Sequence, residues 1–425
     1  MKHRILINVI ILLLTMALAV AGATTPGQSQ SRALPPIPNL QGKVMSVLGP
    51  VEPKKLGITL MHEHLLISTR TQVPGVREGQ HREITTATDL NLFLQPVSLE
   101  NLSAIRNGIA PNRDNMSLTD LQTAIEEIAY FKDLGGKTVV DVTSVGLARD
   151  PNSLVRIAQA TGLTIVMGCG WYQKMFYGVE MDRLTVEELT SQIVRDIVSG
   201  ADGTTIRSGI IGEVGINGNP LTPNEMKNVR AAARASRLTG AAITFHNGGF
   251  GEERLTVLDA AIEEGADPNR IVMGHSDDIA EDLPLLKKLV DRGVYVEFDL
   301  FGRTGARLGR VSDEKVVLAV AELIRLGYVN RILLSQDVCH KIELKKYGGN
   351  GYTFVQESVL PALREFGVTD RQITTIMEEN PMRVLAFAAP GKIKTGTRKG
   401  SLESSFHPHL PFGPSILPPV GYGAR

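Results

Sequence analysis

The chain has 425 residues, 43% of them hydrophobic, with 45 basic residues against 45 acidic. That length is long for one domain but within the range of an α/β barrel with insertions, and the apolar share is ample for a large core. The balanced charge, with no basic run beyond Lys345 and Lys346, argues against partners such as nucleic acid or an anionic membrane surface.

At the N-terminus, Lys2 and Arg4 precede an uncharged stretch over 5–20. Small residues follow, with Ala-x-Ala at Ala19/Ala21 or Ala21/Ala23. This pattern predicts an export signal over 1–23, cleaved to leave no stable membrane insertion. An uncleaved anchor is the alternative, and the apolar stretch is short for a full span. Residues 24–40, rich in Pro, Ser, Gln and Thr, read as a flexible leader.

The first strand ends in His62 and His64. Residues i and i+2 of a strand share a face, so both imidazoles are expected to project together. A surface pair is the alternative for an isolated His-x-His. A polar segment over 68–116 follows, too long for a plain barrel loop, and is expected to form an excursion over the barrel mouth.

From Ser117 the pattern becomes regular. Leu121, Ile125 and Ile128 mark a helix face, and a strand is expected over 137–143. Helix 152–160 leads to strand 163–169, and helix 186–198 to strand 208–214. Thr222, Pro223 and Glu225 form a capping box for a helix that stops at Gly240. Strands 241–246, 270–275, 294–299 and 331–337 alternate with helices over 255–264, 283–292 and 312–326.

Eight near-continuously apolar strands alternating with helices imply a parallel sheet buried on both faces. A closed (β/α)8 TIM barrel fits that count, with a helical extension over 352–366 and 370–378 that ends at Asn380-Pro381. No glycine-rich phosphate motif follows any strand. The barrel domain is placed at 41–388. Residues 389–425, loaded with Pro and Gly, read as an unstructured tail whose His407 and His409 are solvated. Cys169 and Cys339 read as buried free thiols, although an exported location permits one bridge between them.

Ligand-type residues collect at the strand ends. They are His62 and His64, Glu213 on strand four, His246 on strand five, His275 on strand six and Asp337 on strand eight. The carboxyl face of a barrel is where catalytic groups gather. Six ligands exceed one tetrahedral zinc and suit two metals about 3.5–4 Å apart, joined by a carboxylate and a water or hydroxide.

This set, with the stretches beginning at Gly42, Met61, Gly209, Gly274, Glu297 and Lys346, resembles the phosphotriesterase family of the amidohydrolase superfamily. It is most similar to the phosphotriesterase-related branch, and the resemblance spans about residues 42–386. It implies an amidohydrolase-type barrel with two divalent metals, most often zinc. His62, His64 and Asp337 would hold the more buried ion, and His246 and His275 the more exposed one. The founding phosphotriesterases bridge their metals with a carbamylated lysine, whereas this chain offers Glu213. Lys137, at the start of strand two, stands at the far end from the site. Asp337 is placed to accept a proton from the attacking water.

Three substrate contacts are expected. Tyr172 stands where lactonase relatives place a tyrosine, with a packed aromatic as the alternative; Arg303 suits an anionic substrate end or, equally, a loop salt bridge; and Tyr347 opens a glycine-rich segment with the character of a lid or of a plain turn. The resulting expectation is an exported metal hydrolase that uses a metal-bridging hydroxide to cleave an amide of a small N-acylated amino or sulfonic acid. Lactone or ester hydrolysis and weak phosphotriesterase action are the alternatives, as is a metal-binding protein without turnover. The only partner implied beyond a small-molecule substrate is a second copy in a homodimer.

Overall fold

The computed structural model describes residues 34–69, 86–108, 112–178, 180–218, 220–247, 251–303 and 311–391. The expected signal segment, most of the leader and the tail, with His407 and His409, lie outside the described residues. Among the described residues no helix is long and apolar enough to cross a membrane.

An antiparallel hairpin, β1 (Val44–Ser46) and β2 (Gly49–Val51), comes first. β3 (Thr59–Glu63) and β4 (Ile67–Ser68) follow, then α1 (Ala87–Leu94), α2 (Leu99–Arg106) and β5 (Ser117–Leu118). β4 pairs antiparallel with β5, so the polar excursion is fastened at its base and carries two helices of its own. Next come α3 (Leu121–Asp133), β6 (Thr138–Asp141), α4 (Pro151–Thr161), β7 (Thr164–Met167), α5 (Val186–Val198) and β8 (Ile211–Ile216). The alternation ends with α6 (Pro223–Thr239), β9 (Ile243–Asn247), α7 (Glu253–Glu263), β10 (Ile271–Met273), α8 (Leu283–Asp291), β11 (Tyr295–Phe298), α9 (Asp313–Arg325) and β12 (Ile332–Leu334).

The architecture is the expected (β/α)8 barrel, formed by β3 and β6 to β12. Parallel ladders run β3-β6-β7 and β8-β9-β10-β11-β12. The two arcs meet through Gly209 N–H donating to Met167 O at 2.8 Å and Asp337 N–H donating to His62 O at 3.1 Å. Local chemistry sets the helix ends. In α6 the Thr222 and Glu225 side chains cap each other's backbone, Pro223 fills the first turn, and Gly240 closes the helix at φ 80°.

Strand alternation sorts the core into two layers. Leu60, Val139, Ile165, Ile243, Ile271, Val296 and Ile332 pack with the helices. Met61, Val140, Val166, Ala242, Val272 and Leu333 form a second cluster, which the C-terminal residues Val384 and Leu385 join. Moving two residues along from this inner layer reaches polar side chains: Ala242 leads to Thr244 and His246, Tyr295 to Glu297 and Asp299, and Leu333 to Ser335 and Asp337. The chemistry therefore sits directly above an apolar plug.

One boundary differs from expectation. The extension does not end at Asn380-Pro381, because a last helix, α12 (Asn380–Leu385), follows α10 (Leu360–Glu365) and α11 (Asp370–Thr374). Pro381 falls in its first turn, where a missing N–H costs little, and the preceding turn Thr375–Glu379 is π-helical.

Candidate active site

Two β-bulges aim the central residues. In β3, Leu60 pairs with Val139 and Glu63 with Asp141. In β8, Ile211 pairs with Ile243 and Val214 with Phe245. Each strand thus fits one extra residue into its ladder, beside His62 and beside Glu213, and such bulges redirect side chains near active sites. Glu213 accordingly lies within β8 and not at its end. His275 and Asp337 are set by another device. Both adopt a left-handed backbone, φ 49° in each case, an uncommon conformation for side chains of this kind.

The result is a buried cluster around Glu213. Its Oε1 is 3.2 Å from His64 Nε2, which is itself 3.2 Å from Asp337 Oδ1. Its Oε2 faces the other side, 2.6 Å from His246 Nδ1, 3.4 Å from His62 Nε2 and 3.9 Å from His275 Nε2. The donor atoms of His62, His64 and Asp337 lie within 4.8 Å of one another, as do those of His62, Glu213 and His275. The structure thus brings all six expected ligands together around Glu213, with His62 common to both donor sets.

The far nitrogens are held by residues that the sequence reading did not single out. Thr143 Oγ1 lies 2.8 Å from His64 Nδ1, and Asp299 Oδ1 lies 2.7 Å from His275 Nδ1. The other Asp299 oxygen faces His62 Nδ1 at 3.0 Å. His246 Nε2 meets the amide of Gln173 and, at 3.5 Å, the hydroxyl of Tyr172. These contacts fix which ring nitrogen points inward. Tyr352 donates to His64 O at 2.8 Å. Ser335 Oγ and the backbone N–H of Gln336 and Val338 donate to Glu63, tying the loop after β12 to β3. Asp299 was legible as the terminal acid of an alternating strand. The others were not.

Electrostatics show what the cluster lacks. Burial disfavours charge on His64, yet Asp337 and Glu213 raise its pKa to about 9. Burial pushes Asp337 up, but Arg303 and the histidines win and hold it at about 2. Burial pushes Glu297 up to about 7, with His62 the main opposing influence. Glu213, Asp299 and Asp337 are drawn to the ionised form, and His62, His64 and His275 to the protonated form. Such a pocket favours bound cations. His62 Nε2 is buried without a hydrogen bond of acceptable geometry, which suits a nitrogen shaped for an ion. The donors therefore fit two divalent metals.

Tyr172 stands beside the cluster, its ring edge-on to His246 with centroids 4.8 Å apart. Arg303 is buried against Asp337, donating to its carboxylate and backbone oxygen, with Glu343 Oε1 3.9 Å from its Nε. Tyr347 is placed differently. It packs in a satellite core with Val97, Ile105 and Ile342. The expected lid around it is anchored: Glu127 accepts the N–H of Lys345 and Lys346, and Asn115 those of Lys341 and Ile342. Lys137 precedes β6, as expected, and Cys169 and Cys339 form no disulfide. Cys339 is only half-buried and lies in the loop after β12, a correction to its reading as a buried thiol.

A family model for phosphotriesterases matches residues 42–385. The N-acetyltaurine hydrolase of Rattus norvegicus is 35% identical over 359 residues, covering 82% of this chain and 99% of its own length. Among solved structures, a resiniferatoxin-binding protein from Rhodobacter sphaeroides aligns with a TM-score of 0.76 at 37% identity, over 83% of this chain and 98% of that one. A substituted PTE-like lactonase of Deinococcus radiodurans gives a TM-score of 0.63 at 27% identity, over 80% and 99%. A match of that extent, on a barrel with this cluster at its strand ends, leaves one assignment: the chain belongs to the phosphotriesterase family and is a hydrolase.

Proposed function

We propose that this chain is a binuclear metal hydrolase that cleaves the amide of a small N-acylated amino or sulfonic acid. The observation that carries this reading is Glu213, whose Oε1 faces His64 and whose Oε2 faces His246. His62, His64 and Asp337 would hold one ion, His246 and His275 the other, and Glu213 both. Zinc suits these nitrogen and oxygen donors. When bound, the two ions supply an activated water and polarise the scissile carbonyl. Asp337 accepts the proton of the attacking water and passes it to the leaving nitrogen. Tyr172 directs its hydroxyl to the substrate from beside His246. Arg303, which lies against Asp337, would pair with the carboxylate or sulfonate of the substrate.

The full-length relative named as an N-acetyltaurine hydrolase supports the amide reading. The position of Tyr172 and the likeness to a lactonase favour lactone hydrolysis as the second reading. A panel of N-acyl amino and sulfonic acids, lactones, esters and phosphotriesters separates them. The anionic amides are expected to show the highest kcat/KM, and Arg303→Met to raise their KM while sparing neutral lactones. Efficient lactone turnover with no amide cleavage would overturn the lead reading, and no turnover at all would leave a binding protein. The N-terminal charge and apolar pattern supports export, with a mature chain starting near Gly22 or Thr24. N-terminal sequencing of protein from the native host checks this.

A further inference from the structure

Just past Asp337, a second set of metal-type donors converges outside the barrel cluster. Cys339 Sγ lies 3.2 Å from His340 Nδ1, and that nitrogen lies 3.2 Å from Glu343 Oε1. All three donor atoms fall within 4.8 Å of one another. The loop builds this arrangement from its own backbone. Glu343 closes a short 3-10 turn, Lys341–Glu343, and its Oε2 accepts the N–H of Cys339 at 2.8 Å and of His340 at 2.9 Å. One carboxylate oxygen is thereby fixed, and the other turns towards the imidazole. His340 and Glu343 are buried, while Cys339 is partly open to solvent.

We propose that Cys339, His340 and Glu343 form a separate site for a single thiophilic divalent ion such as zinc. Thiolate, imidazole and carboxylate are the donors zinc takes, and three protein ligands leave one position for water. Binding replaces the S–H bond of Cys339 with a sulfur–metal bond, and the thiol proton leaves to solvent. His340 binds through Nδ1 and keeps its proton on Nε2. Glu343 is already held in position, so little ordering remains to be done, and its carboxylate is shared with Arg303, whose Nε lies 3.9 Å from Oε1. The Arg303 guanidinium lies 3.5 Å from Cys339 Sγ. An ion here repels it, which ties occupancy of this site to the position of Arg303.

The barrel cluster offers only nitrogen and oxygen, so a sulfur ligand distinguishes the two sites, and this proposal stands or falls apart from the function proposed above. Purified protein, stripped of bound metal, is titrated with cobalt past the equivalents taken up at the barrel centre. One further equivalent is expected, with a thiolate-to-cobalt charge-transfer band. Zinc X-ray absorption should show one sulfur at about 2.3 Å. Peptide mapping after alkylation should show Cys339 protected only when that equivalent is bound. Cys339→Ser and His340→Gln should each lose it. Absence of any sulfur signature in the unsubstituted protein at saturating metal overturns the proposal, whether or not the variants fold. So does a signature that maps to Cys169, or a further equivalent retained by Cys339→Ser.

Discussion

Glu213 concentrates the chemistry of the site into one residue. Its carboxylate is buried, and the histidines around it draw it to the ionised form against the cost of burial. Glu213→Gln keeps the size and loses the charge, so the second ion should bind far more weakly. Changes to residues that merely support a ligand already cost about 10–100-fold in metal affinity, and losing a shared ligand should cost at least that. Metal analysis after dialysis checks it, and full metal content with full turnover would refute the bridging role. Asp299 acts one step out, spanning the outer nitrogens of His62 and His275. Asp299→Asn should lower metal affinity about 10–100-fold without altering the ligand set.

At the scale of elements, ends and junctions decide stability. Gly240 closes α6 at φ 80°, and a Cβ there would strike the backbone oxygen of Ala388. The left-handed conformation alone costs a non-glycine residue about 1–2 kcal/mol, so Gly240→Ala should destabilise the barrel by more than that in urea unfolding. From the loop between β6 and α4, Arg149 donates to Asp196 of α5, to Asp202 and to Gly168 O at 3.0 Å. Burial pushes Asp196 up to about 6 against the pull of Arg149. A raised carboxyl means that the folded state holds a proton the unfolded chain has released. Stability from this group is therefore full below about pH 4 and is lost as pH rises to about 6, by up to about 3 kcal/mol. Asp196→Asn should flatten that part of the stability profile, and an unchanged slope in denaturant titrations between pH 4 and 6 would count against it.

For the whole molecule, folding and metal binding should be linked. The barrel gathers Glu213, Asp299 and Asp337 above an apolar plug, and only cations compensate so many buried carboxylates. An ion present at about 100 times its Kd adds about 2.7 kcal/mol to stability. Chelation should therefore lower Tm and abolish turnover together, and readdition of zinc should restore both. Calorimetry with and without chelator tests this, and an unchanged Tm with lost activity would separate metal from folding.

Much of this was legible in the sequence, because barrel strands are short apolar runs and their polar ends are few. The strand pattern placed His246 and Asp337 at the carboxyl ends of their strands, and the capping box at Thr222 placed α6. The same rule predicted that His62 and His64 share a face, but it carries no sign of the bulges in β3 and β8 that aim His62 and Glu213. A bulge is a property of pairing between strands far apart in the chain. Thr143, Gln173 and Tyr352 were unreadable for a related reason: each is an ordinary polar residue until the fold sets it against a histidine. Arg303, four residues past Asp299, suited a substrate anion or a loop salt bridge equally, and only the tertiary structure set it against Asp337. Sequence determined the donors and their order, since residue chemistry and strand period are local. Tertiary structure decided which atoms face each other, because pairing register and loop docking are long-range.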